Sequence, residues 1–198
     1  MTSLELRTRR LLIRSFIADD LHEIHRILLS AFGSDTPPDD LSSALEDRRA
    51  WLQWAALSQT WATRMHQPPY GDRAVVLMET GRVIGAVGLV PLLDVFDQIP
   101  ELRRGAQPTP WATAEVGLFW AIDPAHQRKG YATEAASALI EHAFRQLRLH
   151  RILATTEYDN HASQSVMRKL GLRLTRNPLP EPVWLQIVGV LDNPFPVP

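Results

Sequence analysis

The sequence predicts a mixed α/β domain in which strands and amphipathic helices are interleaved along 198 residues. Three observations carry that prediction. Short apolar segments of strand period alternate with longer segments of helical period. One segment, "EVGLFWAI" (115–122), is apolar on both of its alternating faces, as expected of a strand inside a sheet. The length suits one domain with a single core, and neither an internal repeat nor a low-complexity linker divides it.

The elements follow in order. "LELRTRRLLIRSF" (4–16) reads as an opening strand with its arginines turned outward. Ala18-Asp19-Asp20 then starts a helix whose Leu21, Ile24, Leu28 and Ala31 share one face. The Gly, Pro, Ser and Asp content of "FGSDTPPDDLSS" marks a loop. A second helix is expected from Ser42 to Met65. Trp51, Trp54 and Trp61 lie close to one stripe of it, with Leu57 and Ser58 between, and such a stripe is ordinarily core. "AVVLME" and "VIGAVGLV" flank Thr80-Gly81-Arg82 as the arms of a hairpin. Residues 91–112 hold Pro91, Pro100, Pro108 and Pro110 and read as a long irregular excursion, either functional or an insertion. After "EVGLFWAI" and its helix come a short strand, "RILATT", and a compact helix, "DNHASQSVMRKLG", capped by Asn160 and ended by Gly171. "LRLT" and "VWLQIVGVL" supply the last strands. Residues 191–198 form a proline-rich tail to a single domain spanning 1–198.

Composition excludes several classes of function. Charged residues make up 22% and hydrophobic ones 45%, and the net charge is −1, so nothing global attracts nucleic acid or an anionic membrane. There is no cysteine, which removes disulfides, thiolate metal sites and a cysteine nucleophile together and fits a cytoplasmic protein. The longest apolar run, Val83 to Leu93, is about half the roughly 20 residues of a membrane-spanning helix. No signal-peptide core follows the basic "RTRRLLIR". His22 and His25 stand at i and i+3 on the first helix, but with no third ligand in view they make no metal site.

One connection carries chemistry. "AIDPAHQRKGYATEAASALIEHAF" (121–144) passes from strand to helix through a polar turn with a single glycine. A helix that begins near Gly130 offers about four unpaired N–H groups and the positive end of its dipole. Glycine there lets the backbone approach a phosphate closely. Neither the Gly-x4-Gly-Lys-Ser/Thr nor the Gly-x-Gly-x-x-Gly spacing of nucleotide-binding loops is present. On these residues alone, the turn is either an anion site or an ordinary helix start.

The wider pattern, "EVGLFWAIDPAHQRKGYATEAASALIEHAF" followed by "RILATTEYDNHASQSVMRKLGL", resembles the GNAT superfamily of N-acetyltransferases. The resemblance is closest to the branch that contains the ribosomal-protein N-terminal acetyltransferases. Gln127-x-x-Gly130-x-Ala132 looks like the superfamily's pyrophosphate-binding signature, and Asn160-x-x-Ser163 with "RKLGL" matches its next helix. The likeness runs over nearly the whole chain, weakest from about 33 to 112, and it includes the opening "LRTRRLLIRSFIADD" and the closing "VWLQIVGVL". It implies a central, twisted, mostly antiparallel sheet that splays between its fourth and fifth strands, with helices on both faces. Acetyl-CoA would lie in that cleft, its pantetheine arm paired to backbone at Trp120, Ala121 and Ile122. Its pyrophosphate would rest on the N–H groups of Gln127, Arg128, Lys129, Gly130, Tyr131, Ala132 and Thr133. The side chains of Arg128 and Lys129 either approach the phosphates or are simply solvated, and Asn160 serves as helix cap, cofactor contact or both. The Tyr131 side chain reads as packed or surface-lying rather than chemical.

The implied reaction is direct transfer of acetyl to an amine, with no acyl-cysteine step. It needs a proton acceptor for the ammonium and a donor for the leaving thiolate. In many superfamily members a tyrosine on the helix after the fifth strand is the donor; here the matching position is Met167, which cannot donate. Ser163, one turn earlier, is the replacement that the resemblance suggests, the alternative being a serine that only bonds backbone. Glu115, at the head of the buried strand, is the candidate base, expected in a partly apolar setting that raises its pKa, and Glu157 is the reserve. The expected function is acetyl-CoA-dependent N-acetylation of a protein or peptide α-amine by a cytoplasmic enzyme that a homodimer would also suit. A small-molecule amine as acceptor, or a catalytically silent acyl-CoA-binding module, remain as alternatives. In the fold so implied, the second helix borders the acceptor cleft, which leaves one of its tryptophans a lid or acceptor-site role as the alternative to core.

Overall fold

The computed structural model describes residues 4–33, 41–67, 70–103 and 105–195; most of the expected loop after Phe32 lies outside them. Among the described residues are eight strands and four α-helices: β1 Leu6–Arg7, β2 Leu11–Arg14, α1 Leu21–Phe32, α2 Leu41–Arg64, β3 Gly71–Leu77, β4 Arg82–Asp94, β5 Thr113–Ile122, α3 Tyr131–Arg145, β6 Arg151–Thr156, α4 His161–Lys169, β7 Arg173–Arg176 and β8 Ile187–Asp192. No helix among the described residues is long and apolar enough to cross a membrane. The chain divides into two compact units, residues 1–89 with 119–139 and residues 90–118 with 140–198.

In the first unit the strand order is β1-β2-β3-β4-β5, and β1, β2, β3 and β4 pair antiparallel in succession. The hairpin expected at Thr80-Gly81-Arg82 is present, and Gly81 turns at φ 68°, a left-handed value that a side chain resists. Ala74 and Val76 of β3 and Val83 and Ala86 of β4 bury against Leu21, Ile24, Ile27 and Leu28 of α1 and Leu52 and Ala55 of α2. The buried face of α1 therefore runs through Ile27, and Ala31, expected on it, is exposed. The stripe expected as core on α2 is divided. Trp51 tilts against Phe16 with ring centroids 5.3 Å apart, whereas Trp54 and Trp61 face solvent because Leu52 and Ala55 supply the inward contacts. Gly85 is required by close approach: a Cβ there would overlap the Ala121 carbonyl oxygen on β5.

In the second unit the order is β4-β5-β6-β8-β7. A parallel register position, Gly117↔Leu153, joins β5 to β6. These are the fourth and fifth strands of the sequence reading, because the opening segment divides into two short strands. β8 pairs antiparallel with both β6 and β7. The excursion expected over 91–112 is partly ordered: β4 continues to Asp94, and 3-10 turns at Phe96–Gln98 and Pro100–Leu102 bury Phe96 and Ile99 against Leu153, Leu185, Val188 and Val190. "VWLQIVGVL" is not a strand throughout. Val183–Leu185 forms a 3-10 turn, and the strand starts at Ile187. Two side chains fix the turn: Gln186 accepts from the Tyr158 N–H and donates to the Pro180 carbonyl, and the Trp184 indole donates to Asp94 at 2.8 Å. The tail begins later than residue 191, since β8 runs to Asp192. Asn193 then donates to the carbonyls of Phe144 and Leu149, and the Arg145 guanidinium lies 4.0 Å over the Phe195 ring.

Candidate functional site

The strand-to-helix connection is built in the first unit. β5 ends at Ile122, and the Asp123 N–H donates to the Ile84 carbonyl at 2.9 Å, tying the strand's exit to β4. Asp123 accepts from the Ala125 N–H and from Arg26 of α1, at 2.8 Å for the closer contact, and its ring partner is His126 at 3.2 Å. The Arg26 bond, with help from Ala125 and His126, holds the Asp123 carboxyl down at about 2, against the opposing effect of burial. A 3-10 turn over Pro124–His126 follows. The Gln127 N–H donates to the Pro124 carbonyl, and the Gln127 side chain closes back onto the Ile122 carbonyl at 2.9 Å.

From Arg128 onward the backbone donors have no such partner. The first bond of α3 runs from the Glu134 N–H to the Gly130 carbonyl. Among the described residues the N–H groups of Arg128, Lys129, Gly130, Tyr131, Ala132 and Thr133 therefore carry no acceptor. Arg128 at φ 60° and Gly130 at φ 82° bend the chain so that this run heads a helix of 15 residues. Such an arrangement concentrates donors and the positive end of the helix dipole at one place. A side chain at Gly130 would stand 3.5 Å from the Arg10 guanidinium, so that cation borders the turn. Lys129, by contrast, turns its ammonium back to the Ala125 carbonyl at 3.1 Å.

Arg10 was not among the residues the sequence singled out. Its guanidinium pairs with Glu134 at 2.6 Å and lies 4.4 Å over the Tyr131 ring, while its backbone N–H donates to the other Glu134 oxygen. The Thr8 hydroxyl completes the clamp at 2.6 Å. Burial alone would raise Glu134, but the bonds from Thr8 and Arg10 hold its carboxyl below the ordinary value, so it stays charged. The available signal was Glu134 itself: a carboxylate in the first turn of a helix expected to hold an anion would work against that ligand unless a cation neutralised it.

The other predicted side chains stand in the second unit. Asn160 caps α4, its Oδ1 accepting from the Ser163 N–H at 3.0 Å as the sequence implied. The Ser163 hydroxyl is half-buried and has no partner among the described residues. The Glu115 side chain is 8% exposed, and both of its oxygens accept from Arg151, whose Nε lies at 2.9 Å and whose second nitrogen is closer still. Glu157 accepts from Thr156 at 3.0 Å and from Asn160 at 3.3 Å. Burial would raise it, but its own backbone N–H and these two donors hold it below the ordinary value. Met167 is fully buried, with its sulfur against Gly189, so a side chain at this position points into the core. In the first unit Asp72 on β3, which the sequence did not flag, is pushed up to about 6 by burial, with Arg73 and Arg48 pulling the other way.

The family model described as Acetyltransferase (GNAT) domain matches residues 10–173. The chain belongs to this family. It is accordingly an acyltransferase of the N-acetyltransferase type, in a family that takes acetyl from acetyl-CoA to an amine. It is 28% identical over 169 residues to the uncharacterized N-acetyltransferase YoaA of Bacillus subtilis, covering 85% of this chain and 82% of that one. A shorter stretch of 61 residues is 48% identical to the uncharacterized N-acetyltransferase YnaD of Bacillus subtilis; it is 31% of this chain and spans only 35% of that protein's length. The ribosomal-protein-S5-alanine acetyltransferase of Vibrio fischeri shares the fold, with a TM-score of 0.66 at 17% identity over 98% of this chain and 100% of that one. The GNAT match runs through both compact units and spans the positions of the candidate site residues, but stops short of the closing "VWLQIVGVL".

Proposed function

We propose that the protein transfers acetyl from acetyl-CoA to the α-amine of a peptide or protein N-terminus in the cytoplasm, and that residues 1–198 act as one N-acetyltransferase domain. The observation that carries the donor half is the run of unpartnered N–H groups from Arg128 to Thr133 at the head of α3, beside Arg10. These donors fit a pyrophosphate, whose charge the helix dipole and the guanidinium favour. The Gln127 N–H, already donated to Pro124, drops out of the set. The backbone of Trp120, Ala121 and Ile122 would hold the pantetheine arm, with Ile122 contributing through its N–H since its carbonyl serves Gln127. Acetyl-CoA supplies an activated thioester. The Ser163 hydroxyl, with its hydrogen uncommitted, donates a proton to the departing sulfur, and Asn160 holds the start of α4 that carries it.

Proton acceptance frames the acceptor. Glu115 engages Arg151 with both oxygens, so it takes the ammonium proton only after releasing that partner, and Glu157 is held acidic by its donors. A peptide α-amine has a pKa of about 7.7–8.0, and neutralising it at pH 7 costs roughly 1 kcal/mol; a lysine near 10.4 costs about 4.6 kcal/mol. A site with so little free base suits the easier amine. The fold shared with a protein named for acetylating a ribosomal-protein alanine supports the same choice. The test is mass spectrometry on one peptide that offers both a free N-terminus and an internal lysine. Acetylation at the N-terminus is expected. Modification confined to lysine, or turnover only with small amines, overturns the acceptor assignment.

A further inference from the structure

Helix α2, Leu41–Arg64, is apolar on two sides. Its inner side is accounted for by Leu52 and Ala55 in the core of the first unit. The outer side carries Trp54 and Leu57, each 58% exposed, Trp61 at 52% and Met65 at 58%. The Met65 N–H donates to the Trp61 carbonyl at 2.9 Å, so the helical path continues through it and these side chains form one stripe. Scattered exposed apolar residues need no account, but four large ones along one helix face, two of them tryptophan, mark a contact surface.

We infer that this stripe is a homodimer seam, in which α2 packs antiparallel against α2 of a second copy of this chain. The sequence of the face is self-complementary about its midpoint between Leu57 and Ser58. Antiparallel pairing there sets Trp54 opposite Trp61 of the second copy and the small Ala50 opposite its Met65. The charges match in the same register. Asp47 lies near the N-terminal end, where Glu46 is already paired with Arg49 of its own helix at 3.3 Å, and Arg64, stacked 5.2 Å over Trp61, lies at the C-terminal end. Each Asp47 then meets the Arg64 of the other copy, within about one turn. A two-fold axis repeats every contact, as isologous pairing requires. The four side chains can bury roughly 500 Å² per copy, near the lower bound of specific interfaces, so the dimer is a weak one that forms with rising concentration.

Sedimentation velocity from about 1 µM to about 500 µM should show a monomer–dimer equilibrium. Trp54→Ala should raise the dissociation constant at least about tenfold, since an interface tryptophan is a usual hot spot. Arg64→Asp should weaken the dimer several-fold, and adding Asp47→Arg to it should restore the association, with circular dichroism confirming that each variant is folded. A protein that stays monomeric throughout the range overturns the inference, as does a dimer indifferent to Trp54→Ala. A charge exchange that fails to restore association overturns the antiparallel register. A monomer in which Trp54→Ala raises KM for a peptide acceptor would assign the stripe to the acceptor instead, and this too overturns the seam. None of these masses depends on whether acetyl transfer occurs.

Discussion

Gly130 separates backbone strain from electrostatics in the proposed phosphate site. Its φ of 82° is left-handed, and a Cβ there meets only the Arg10 guanidinium at 3.5 Å, an ordinary contact. Asparagine tolerates this conformation and aspartate nearly so, and the two are close in size. Comparing Gly130→Asn with Gly130→Asp therefore isolates one negative charge. A carboxylate there would lie about 5 Å from a phosphate cradled on the neighbouring N–H groups. With an effective dielectric constant of roughly 40–80, each unit of phosphate charge is opposed by about 0.8–1.7 kcal/mol. Part of the added charge is offset by Arg10, which leaves about 1–3 kcal/mol for a doubly charged pyrophosphate, or roughly 5- to 150-fold in affinity. Isothermal titration of acetyl-CoA into both variants measures the difference, which should shrink in high salt. Equal affinities for the Asn and Asp variants, both folded, would refute an anion at this turn.

Three further outcomes are expected. Ser163→Ala should lower kcat by about 10²-fold with little change in Tm, because the Asn160 cap is made to the backbone N–H and survives; an unchanged kcat removes Ser163 from the chemistry. Met167→Tyr should not install a proton donor, because the position is fully buried against Gly189. Overpacking should cost about 1–3 kcal/mol and lower Tm by about 3–10 °C with no gain in kcat, and a faster enzyme of unchanged Tm would contradict that placement. Arg26→Met should destabilise the fold by about 1 kcal/mol at pH 7. Arg26 is the largest of the partners, with Ala125 and His126, that depress the Asp123 carboxyl from 3.8 to about 2, so its contribution is complete above the unfolded value and is lost as pH falls through the folded one. The difference in Tm between wild type and variant should therefore be full at pH 7 and much smaller near pH 2, where about half of Asp123 in the folded state is protonated.

Features of local origin were legible in the sequence. The left-handed turn at Gly81, the Asn160 cap and the helix start after Gly130 each follow from residues within a few positions of one another. Long-range pairings were not. Glu115 presents itself as a buried carboxylate, and nothing near it in sequence announces Arg151, which reaches it only because β5 and β6 are neighbours. The tryptophan stripe of α2 reads as core in the sequence because periodicity reports that a face is apolar without saying which way it turns. Leu52 and Ala55 already fill the inner face, so Trp54 and Trp61 are left outside. "VWL" has strand composition, yet the Gln186 and Trp184 side-chain bonds hold it as a turn.

The clamp on Glu134 spans 126 residues from Thr8 and 124 from Arg10. Closing so large a loop is entropically costly and slow compared with winding α3, whose own bonds are local. The helix can therefore form before the turn ahead of it acquires its native frame. On the proposed reading of this turn, acetyl-CoA binding becomes a reporter of long-range assembly: in refolding, helical signal should recover first and cofactor affinity last. Mild denaturant should reverse that order, abolishing affinity while much of the helix content persists.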